Sequence, residues 1–274
     1  MFSSETVFQR QRSIRIQGVV LRHRDWGEAD RLLWLFTLEL GKIRAIAKGV
    51  RKPRSRKAGH LEPFARVNLL LARGREIPIV TQAEAVDPFL ALRDDILRGT
   101  YASYVVELLD RFTYEEGENR ALYHLLVDTL ERLVQLDDLD LTLHYYEIRL
   151  LDLMGFRPQL FECANCGKEI LPQDQYFSAL QGGALCPQCG LRLDGSRPIS
   201  MNALKYLRHF QRSSFSEARR ARLTPELNRE IEILMQHYLT YLLERSLNTP
   251  VFLRRVRKSA IPGESFSDLG DEDN

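Results

Sequence analysis

At Asp87 the repeat along this chain changes. Upstream, apolar residues recur at every second position in short runs; downstream they recur at intervals of three and four. Side chains alternate across a strand and return to one face of a helix every 3.6 residues, so the switch calls for a β part followed by an α part. An α+β molecule of more than one domain is the architecture that satisfies it.

Five runs before the switch read as strands: RIQGVVLRH (15–23), ADRLLWLFTL (29–38), KIRAIAKGV (42–50), ARVNLLLARG (65–74) and IPIVTQAEAV (77–86). In the third, Ile43, Ala45 and Ala47 alternate with Lys42, Arg44, Ile46 and Lys48, giving one small apolar face and one largely basic face. DWGEAD and LGK supply turn residues between runs. Five short strands in about eighty residues fit a small closed barrel. The OB-fold, the five-stranded barrel that binds oligonucleotides, is the expected form, with an SH3-like barrel as its structural rival.

After Asp87, Phe89, Leu92, Ile96 and Leu97 open a helical pattern that continues through Tyr104, Val105, Leu108, Leu109 and Phe112. Further helices are predicted near 119–136 and 141–154, joined by the short polar links GENR and QLDDLD. Met154, Gly155 and Pro158 end the third. Helical pattern resumes after Ser200, a candidate N-cap, and again at Thr224-Pro225, where threonine caps and proline fits the first turn. The predicted partition is a barrel over 1–86, helical segments over 87–158 and 199–258, a cysteine module inserted at 159–198, and a disordered Gly-, Ser- and Asp-rich tail over 259–274.

The cysteine module carries Cys163-x-x-Cys166, nineteen intervening residues, and Cys186-x-x-Cys189, which uses all four cysteines of the chain. Each pair turns two thiolates toward one ion, and the stretch between suits a hairpin that folds the second pair over the first. Four thiolates form the closed tetrahedron that Zn²⁺ favours, with no open position for substrate. One structural Zn²⁺ is therefore expected at Cys163, Cys166, Cys186 and Cys189. Neither pair opens a helix after a parallel-sheet strand, as a thioredoxin-like redox pair would.

Composition narrows the function. Of 274 residues, 44% are hydrophobic and 28% charged, the balance of a globular protein. No apolar run is long enough to cross a membrane, and the N-terminus MFSSETVFQRQRSIRIQ has no signal-peptide core, so a cytoplasmic protein without membrane contact is expected. A net charge of +2 conceals a polarised chain: residues 1–86 hold 17 basic and 8 acidic side chains, residues 87–162 hold 7 and 16. The positive charge peaks in GKIRAIAKGVRKPRSRKAGHLEPF (41–64), where Lys42, Arg44, Lys48, Arg51, Lys52, Arg54, Arg56 and Lys57 precede the first carboxylate, Glu62. Gly49, Pro53, Ser55 and Gly59 break the run, so it is not a basic amphipathic helix lying on a lipid surface. A basic strand face beside a basic loop makes a groove for phosphates, with salt-dependent and largely sequence-indifferent binding. These eight residues are the candidate DNA-binding set, although the charge run itself does not separate DNA from RNA or from an acidic protein partner. Trp26, in the DWGEAD turn, is placed for exposure and stacking, whereas Trp34 and Phe36 lie in an apolar strand and are expected in the core. Arg254, Arg255, Arg257 and Lys258 form a second basic cluster that would extend the surface.

GEADRLLWLFTLELGKIRAIAKGVRKPRSR (27–56), AGHLEPF (58–64), TQAEAV (81–86) and LLDLMGFRPQLFECANCG (150–167), followed by the second Cys-x-x-Cys, resemble the RecO family of bacterial recombination mediators in order and spacing. The likeness runs from about residue 15 to 258. It implies an N-terminal OB-fold, a helical domain and an inserted zinc module. It also implies binding of single- and double-stranded DNA, annealing of complementary strands, and help in loading RecA onto strands coated with single-stranded-DNA-binding protein. RecR and sometimes RecF are the implied partners, with single-stranded-DNA-binding protein itself; location at the nucleoid follows. Annealing forms no bond, so a cationic surface that lowers phosphate repulsion suffices and no catalytic residue is expected.

Three other functions compete, one of them a pure scaffold whose basic loop grips only acidic proteins. Asp137, Asp138 and Asp140 resemble a nuclease's metal carboxylates, but they fall between helical patterns, where aspartate caps and turns the chain. An RNA-binding protein of translation or RNA processing would also use an OB-fold and a zinc ribbon. No Gly-x-x-x-x-Gly-Lys-Ser/Thr loop for ATP occurs.

Overall fold

The computed structural model describes residues 12–114 and 117–244, together with Thr249, Leu253, Val256 and Arg257. Arg254, Arg255, Lys258 and the 259–274 tail lie outside the described residues. Strands β1 (Ser13–Trp26), β2 (Asp30–Thr37), β3 (Gly41–Ala47), β4 (Arg66–Ala72) and β5 (Ile79–Asp87) close a barrel in the order β1-β2-β3-β5-β4. The single parallel pairing joins β3 to β5 at Ile46 and Ile79; the other pairings are antiparallel. This is an OB-fold.

The barrel closes because each strand supplies apolar residues at alternate positions. Ile16, Val20, Leu33, Leu35, Ile43, Ala45, Ala47, Val67, Leu69, Leu71 and Val80 fill its interior. The small alanines of β3 let that strand curve inward. Gly41 turns β2 into β3 at φ 66°, with the Gly117 carbonyl so close that no Cβ would fit. Val20 points into the barrel and Leu21 out of it, and a bulge between Val20 and Arg22 keeps Arg22 on the outside too, opposite Trp34. Leu21 joins Val19 and Phe36 on an outer face that packs against the helical body.

The body contains α1 (Ala91–Asp94), α2 (Ile96–Phe112), α3 (Arg120–Gln135), α4 (Leu139–Leu153), α5 (Pro187–Gly190), α6 (Met201–Arg212), α7 (Phe215–Ala218) and α8 (Pro225–Leu243). The single helix expected from Phe89 onward is broken at Asp95. Its carboxylate caps α2 by accepting from the Leu97 and Arg98 N–H groups at 2.8 and 3.1 Å, and Ile96, expected on the buried stripe, is 71% exposed. Ser200 and Thr224 cap α6 and α8 as expected, accepting from Ala203 N–H at 3.1 Å and Leu227 N–H at 3.3 Å. The short α7 has no counterpart in the periodicity; a capping box between Ser214 and Glu217 makes it.

Between α4 and α6 lies a small antiparallel sheet of β6 (Gln175–Ser178), β7 (Gly183–Leu185) and β8 (Arg197–Ile199), ordered β7-β6-β8. Leu160, Ile170, Phe177, Leu185 and Ile199 merge with the helical core, and the Phe177 ring meets Tyr238 of α8 edge-on at 5.4 Å. The Arg208 guanidinium of α6 donates to the Leu160 carbonyl at 2.8 and 2.6 Å and to the Ile170 carbonyl at 3.2 Å. The module is thus fastened to the body by both apolar contact and hydrogen bonds.

Candidate nucleic-acid interface and metal centre

The β6–β7 hairpin carries the two cysteine pairs together. The four sulfurs lie within 4.8 Å of one another, and those of Cys166 and Cys186 are 3.9 Å apart. One ion bonded at about 2.3 Å to each would hold them about 3.8 Å apart, so the donor set fits a single tetrahedral metal. Backbone geometry prepares a thiolate at Cys163; at Cys189 the Asn165 amide pulls the thiol down, but the neighbouring cysteine side chains push it up further, to about 11. Burial pushes the Cys163 thiol up, but N–H groups of Cys186, Cys166 and Asn165 outweigh it and hold the thiol at about 6. The Asn165 amide donates to Cys189 Sγ at 3.3 Å. Gly190, after the second pair, presses on the Tyr176 ring where a Cβ would collide. Among the described residues these four cysteines are the one group of three or more His, Cys, Asp or Glu side chains able to share an ion.

The aspartates between α3 and α4 have other partners. Asp138 caps α4 by accepting from Leu141 N–H at 3.1 Å, Asp137 pairs with Arg98 at 2.9 Å, and Asp140 bonds Tyr101, Asn228 and Arg257. Each has a structural use, as the turn reading predicts.

The basic segment divides into two groups. Lys42, at the start of β3, is 11% exposed and reaches the helical body, where it pairs with Asp110 at 2.6 Å and donates to the Thr113 carbonyl at 3.0 Å. It is a docking residue between barrel and body, a correction to its place in the candidate set. The alternation does point it outward, but the outside of β3 at that end is covered by α2. Lys57 turns back on the loop, donating to the Val80 carbonyl at 2.9 Å and the Lys48 carbonyl at 3.2 Å, and burial lowers its pKa. Arg51 bridges to the β1–β2 hairpin, pairing with Asp25 at 3.2 Å and donating to the Glu28 carbonyl at 3.3 Å. Arg44, Lys48, Lys52, Arg54 and Arg56 are exposed. The side chains of Lys48, Lys52, Arg54 and Arg56 have no carboxylate partner among the described residues.

AGHLEPF explains how the loop is held. Leu61 is fully buried in the barrel, His60 Nδ1 accepts from Ala85 N–H at 3.2 Å, and Glu62 pairs with Arg31 at 3.0 Å and His23 at 3.4 Å. The Glu62 carboxyl is pushed up by burial but pulled further down by Arg31 and His23. Phe64, in the left-handed region at φ 72°, donates its N–H to the Val20 carbonyl at 2.8 Å and ends the loop on β1.

Arg257 is also corrected. It bonds Tyr101 Oη at 2.7 Å and pairs with Glu232 at 2.7 Å and with Asp140, so it sits inside the body's polar network and offers no phosphate contact. Phe36 is in the core as expected, but Trp34 is half-buried on the outer side of β2 with the Arg22 guanidinium 3.6 Å above its ring. Arg22 and Arg24 escape the sequence reading. Strand alternation holds the signal: Leu33 and Leu35 point inward, which turns Trp34 outward.

A closed OB barrel with a held basic loop, docked on a helical body that carries a four-cysteine module, defines a class of nucleic-acid-binding architecture. The model for the recombination protein O N-terminal domain matches residues 12–89, and that for its C-terminal domain matches residues 93–250. The chain is 42% identical over 249 residues to the DNA repair protein RecO of Roseiflexus sp. (strain RS-1), covering 91% of this chain and 88% of that one. It is 37% identical to the DNA repair protein RecO of Dehalococcoides mccartyi (strain ATCC BAA-2266 / KCTC 15142 / 195), covering 89% and 96%. With that of Desulforamulus reducens (strain ATCC BAA-1160 / DSM 100696 / MI-1) the identity is 34%, covering 89% and 95%. The chain belongs to the RecO family.

Proposed function

We propose that this chain is a non-catalytic DNA-binding protein of DNA repair and homologous recombination. It anneals complementary strands and assists RecA loading onto strands coated with single-stranded-DNA-binding protein, acting with RecR and, in some settings, RecF, in the cytoplasm and at the nucleoid. The observation that carries this reading is the solvated row Lys48, Lys52, Arg54 and Arg56 beside Arg44, on a loop whose ends are fixed by Leu61, Glu62 and Lys57. A fixed loop with unneutralised cations has no folding use for them, and polyphosphate is the partner that displaces counterions from such a row. Its affinity is sequence-indifferent, as annealing requires.

The cysteine module takes one structural Zn²⁺ on Cys163, Cys166, Cys186 and Cys189. All four positions of the ion go to protein, so it shapes the module and activates no water. The partition adopted is a barrel to residue 86, a helical body in two parts over 87–158 and 199–258, and the module over 159–198.

Two measurements test the reading. Annealing of complementary oligonucleotides precoated with the cognate single-stranded-DNA-binding protein should proceed without ATP or Mg²⁺. Replacing Lys48, Lys52, Arg54 and Arg56 by glutamine should weaken single-strand binding and flatten its salt dependence, by about 0.7 in log–log slope for each phosphate the protein ceases to neutralise. An unchanged slope refutes the loop as the DNA track.

A further inference from the structure

The outer face of the barrel carries a second element, distinct from the loop. Register places Arg22 of β1 opposite Trp34 of β2, and Trp34 opposite Arg44 of β3. Arg22 lies 3.6 Å from the Trp34 ring centre. Arg24, two residues further along β1, lies 5.8 Å from Trp34 and 5.3 Å from Trp26. Guanidinium and indole therefore alternate along the hairpin: Arg22, Trp34, Arg24, Trp26. The row ends in the open, since Trp26 at the tip is 43% exposed. Arg51 ties the basic loop to the same tip through Asp25 and Glu28, and its N–H donates to the Ala29 carbonyl at 3.0 Å.

Core packing does not account for the row. The barrel interior is filled from the opposite faces of β1 and β2, and neither tryptophan belongs to it; Trp34 packs at the edge of the body's core, while Trp26 belongs to neither core. Cation–π contact with Arg24 holds one side of Trp26 without covering it, and leaves a planar apolar surface beside cations.

The geometry points to a stacking platform for unpaired nucleobases at Trp26, backed by Arg24 and Trp34. It discriminates single-stranded from duplex DNA. This rests on the reading that the barrel binds DNA. The cations of the loop meet phosphates in either form, but the face of a base is open to an indole only where the base is unpaired. The barrel thus holds two separable elements, one indifferent to strand state and one that requires a single strand. As two strands pair, the bases leave Trp26 while the phosphates stay on the loop. Annealed product is then held less tightly than substrate.

The test compares oligo(dT) with a blunt duplex of equal length at one salt concentration. Trp26→Ala should weaken oligo(dT) binding about tenfold and change duplex binding by less than about twofold, while Trp26→Phe retains most of the single-strand affinity. The chain has two tryptophans, so Trp34→Phe leaves Trp26 as sole reporter. Its emission should fall on adding oligo(dT) and hold on adding duplex. Equal losses on both ligands, or no loss on either with Trp26 emission unchanged, overturn the inference. The glutamine variant of Lys48, Lys52, Arg54 and Arg56, which leaves the Arg51 tie to the tip in place, keeps the two failures apart. If it loses both ligands while Trp26→Ala loses neither, the loop reading stands and the platform fails. If it binds both ligands like the parent, the loop reading fails as well.

Discussion

Arginines of the helical body and cations of the barrel loop are used in opposite ways. In the body they satisfy carbonyls left over where helices and loops end. Arg98 donates to the Leu136 carbonyl at 2.7 Å and also reaches those of Leu133 and Val134, at the C-terminus of α3. Arg208 does the same for Leu160 and Ile170 in the cysteine module, and Arg257 closes a network around Asp140. On the loop, Lys52, Arg54 and Arg56 meet no carboxylate among the described residues, although Glu62 and Asp30 are close in the fold and already engaged by Arg31 and the Gly49 N–H. A charge with folding work is identified by its partner; a charge aimed at another molecule is identified by lacking one. Residue counts do not separate the two: within a single run Lys42 and Lys57 are tied into the fold, whereas Lys52, Arg54 and Arg56 are not.

The largest effect that would sharpen this contrast comes from the metal. Cys163→Ser should abolish stoichiometric zinc and destabilise the body on the order of several kcal/mol, because binding energy at such a site is folding energy. Metal analysis and thermal unfolding check it. The barrel has its own core, separate from the one shared by body and module. The variant should therefore melt in two steps, the barrel last, and keep its affinity for oligo(dT) at low temperature. A single unshifted transition would mean that the module is held by packing alone.

Next in size is the contrast itself. Arg98→Ala strips donors from several helix-end carbonyls and should lower stability by about 2 kcal/mol in urea unfolding, with DNA affinity unchanged. Arg56→Gln should do the reverse, leaving the unfolding midpoint in place and weakening DNA binding. If both variants lose stability, the loop is a structural element and the contrast collapses.

These residues also mark how far the sequence can be read. Period-two alternation predicts the barrel because its interior is filled from one face of each strand, and Cys-x-x-Cys spacing predicts the cysteine cluster because two tight turns leave little freedom. Pairings between distant segments are not visible. Nothing local to Lys42 announces Asp110, and nothing near Arg257 announces Asp140 or Glu232. Trp34 is legible but easily misread: its apolar neighbours outweigh the alternation that turns it outward. The acidic surplus of the body suggests solvated helix faces, yet Glu147 is buried and bonded to Tyr104 at 2.6 Å.

That buried carboxylate gives the smallest and most selective test. His144 of α4 is buried with Glu147 Oε2 3.1 Å from Nδ1 and Asn228 Oδ1 2.8 Å from Nε2. The Asn228 amide is oriented by its own NH₂, which donates to Asp140 at 2.8 Å, so its oxygen must face the histidine. Both ring nitrogens then meet acceptors, which only the protonated imidazole satisfies. Burial pushes the His144 pKa down, but Glu147, Asn228 and Asp140 push it up further, and it ends above 6.5. A folded pKa above the unfolded one adds stability that is complete below about pH 6.5 and fades as pH rises through the folded value. Desolvation offsets much of the attraction in such a buried pair, so the contribution is modest. The stability difference between the parent and His144→Gln should therefore shrink between neutral and alkaline pH in urea titrations. A difference that grows with pH would show that His144 folds as the neutral ring.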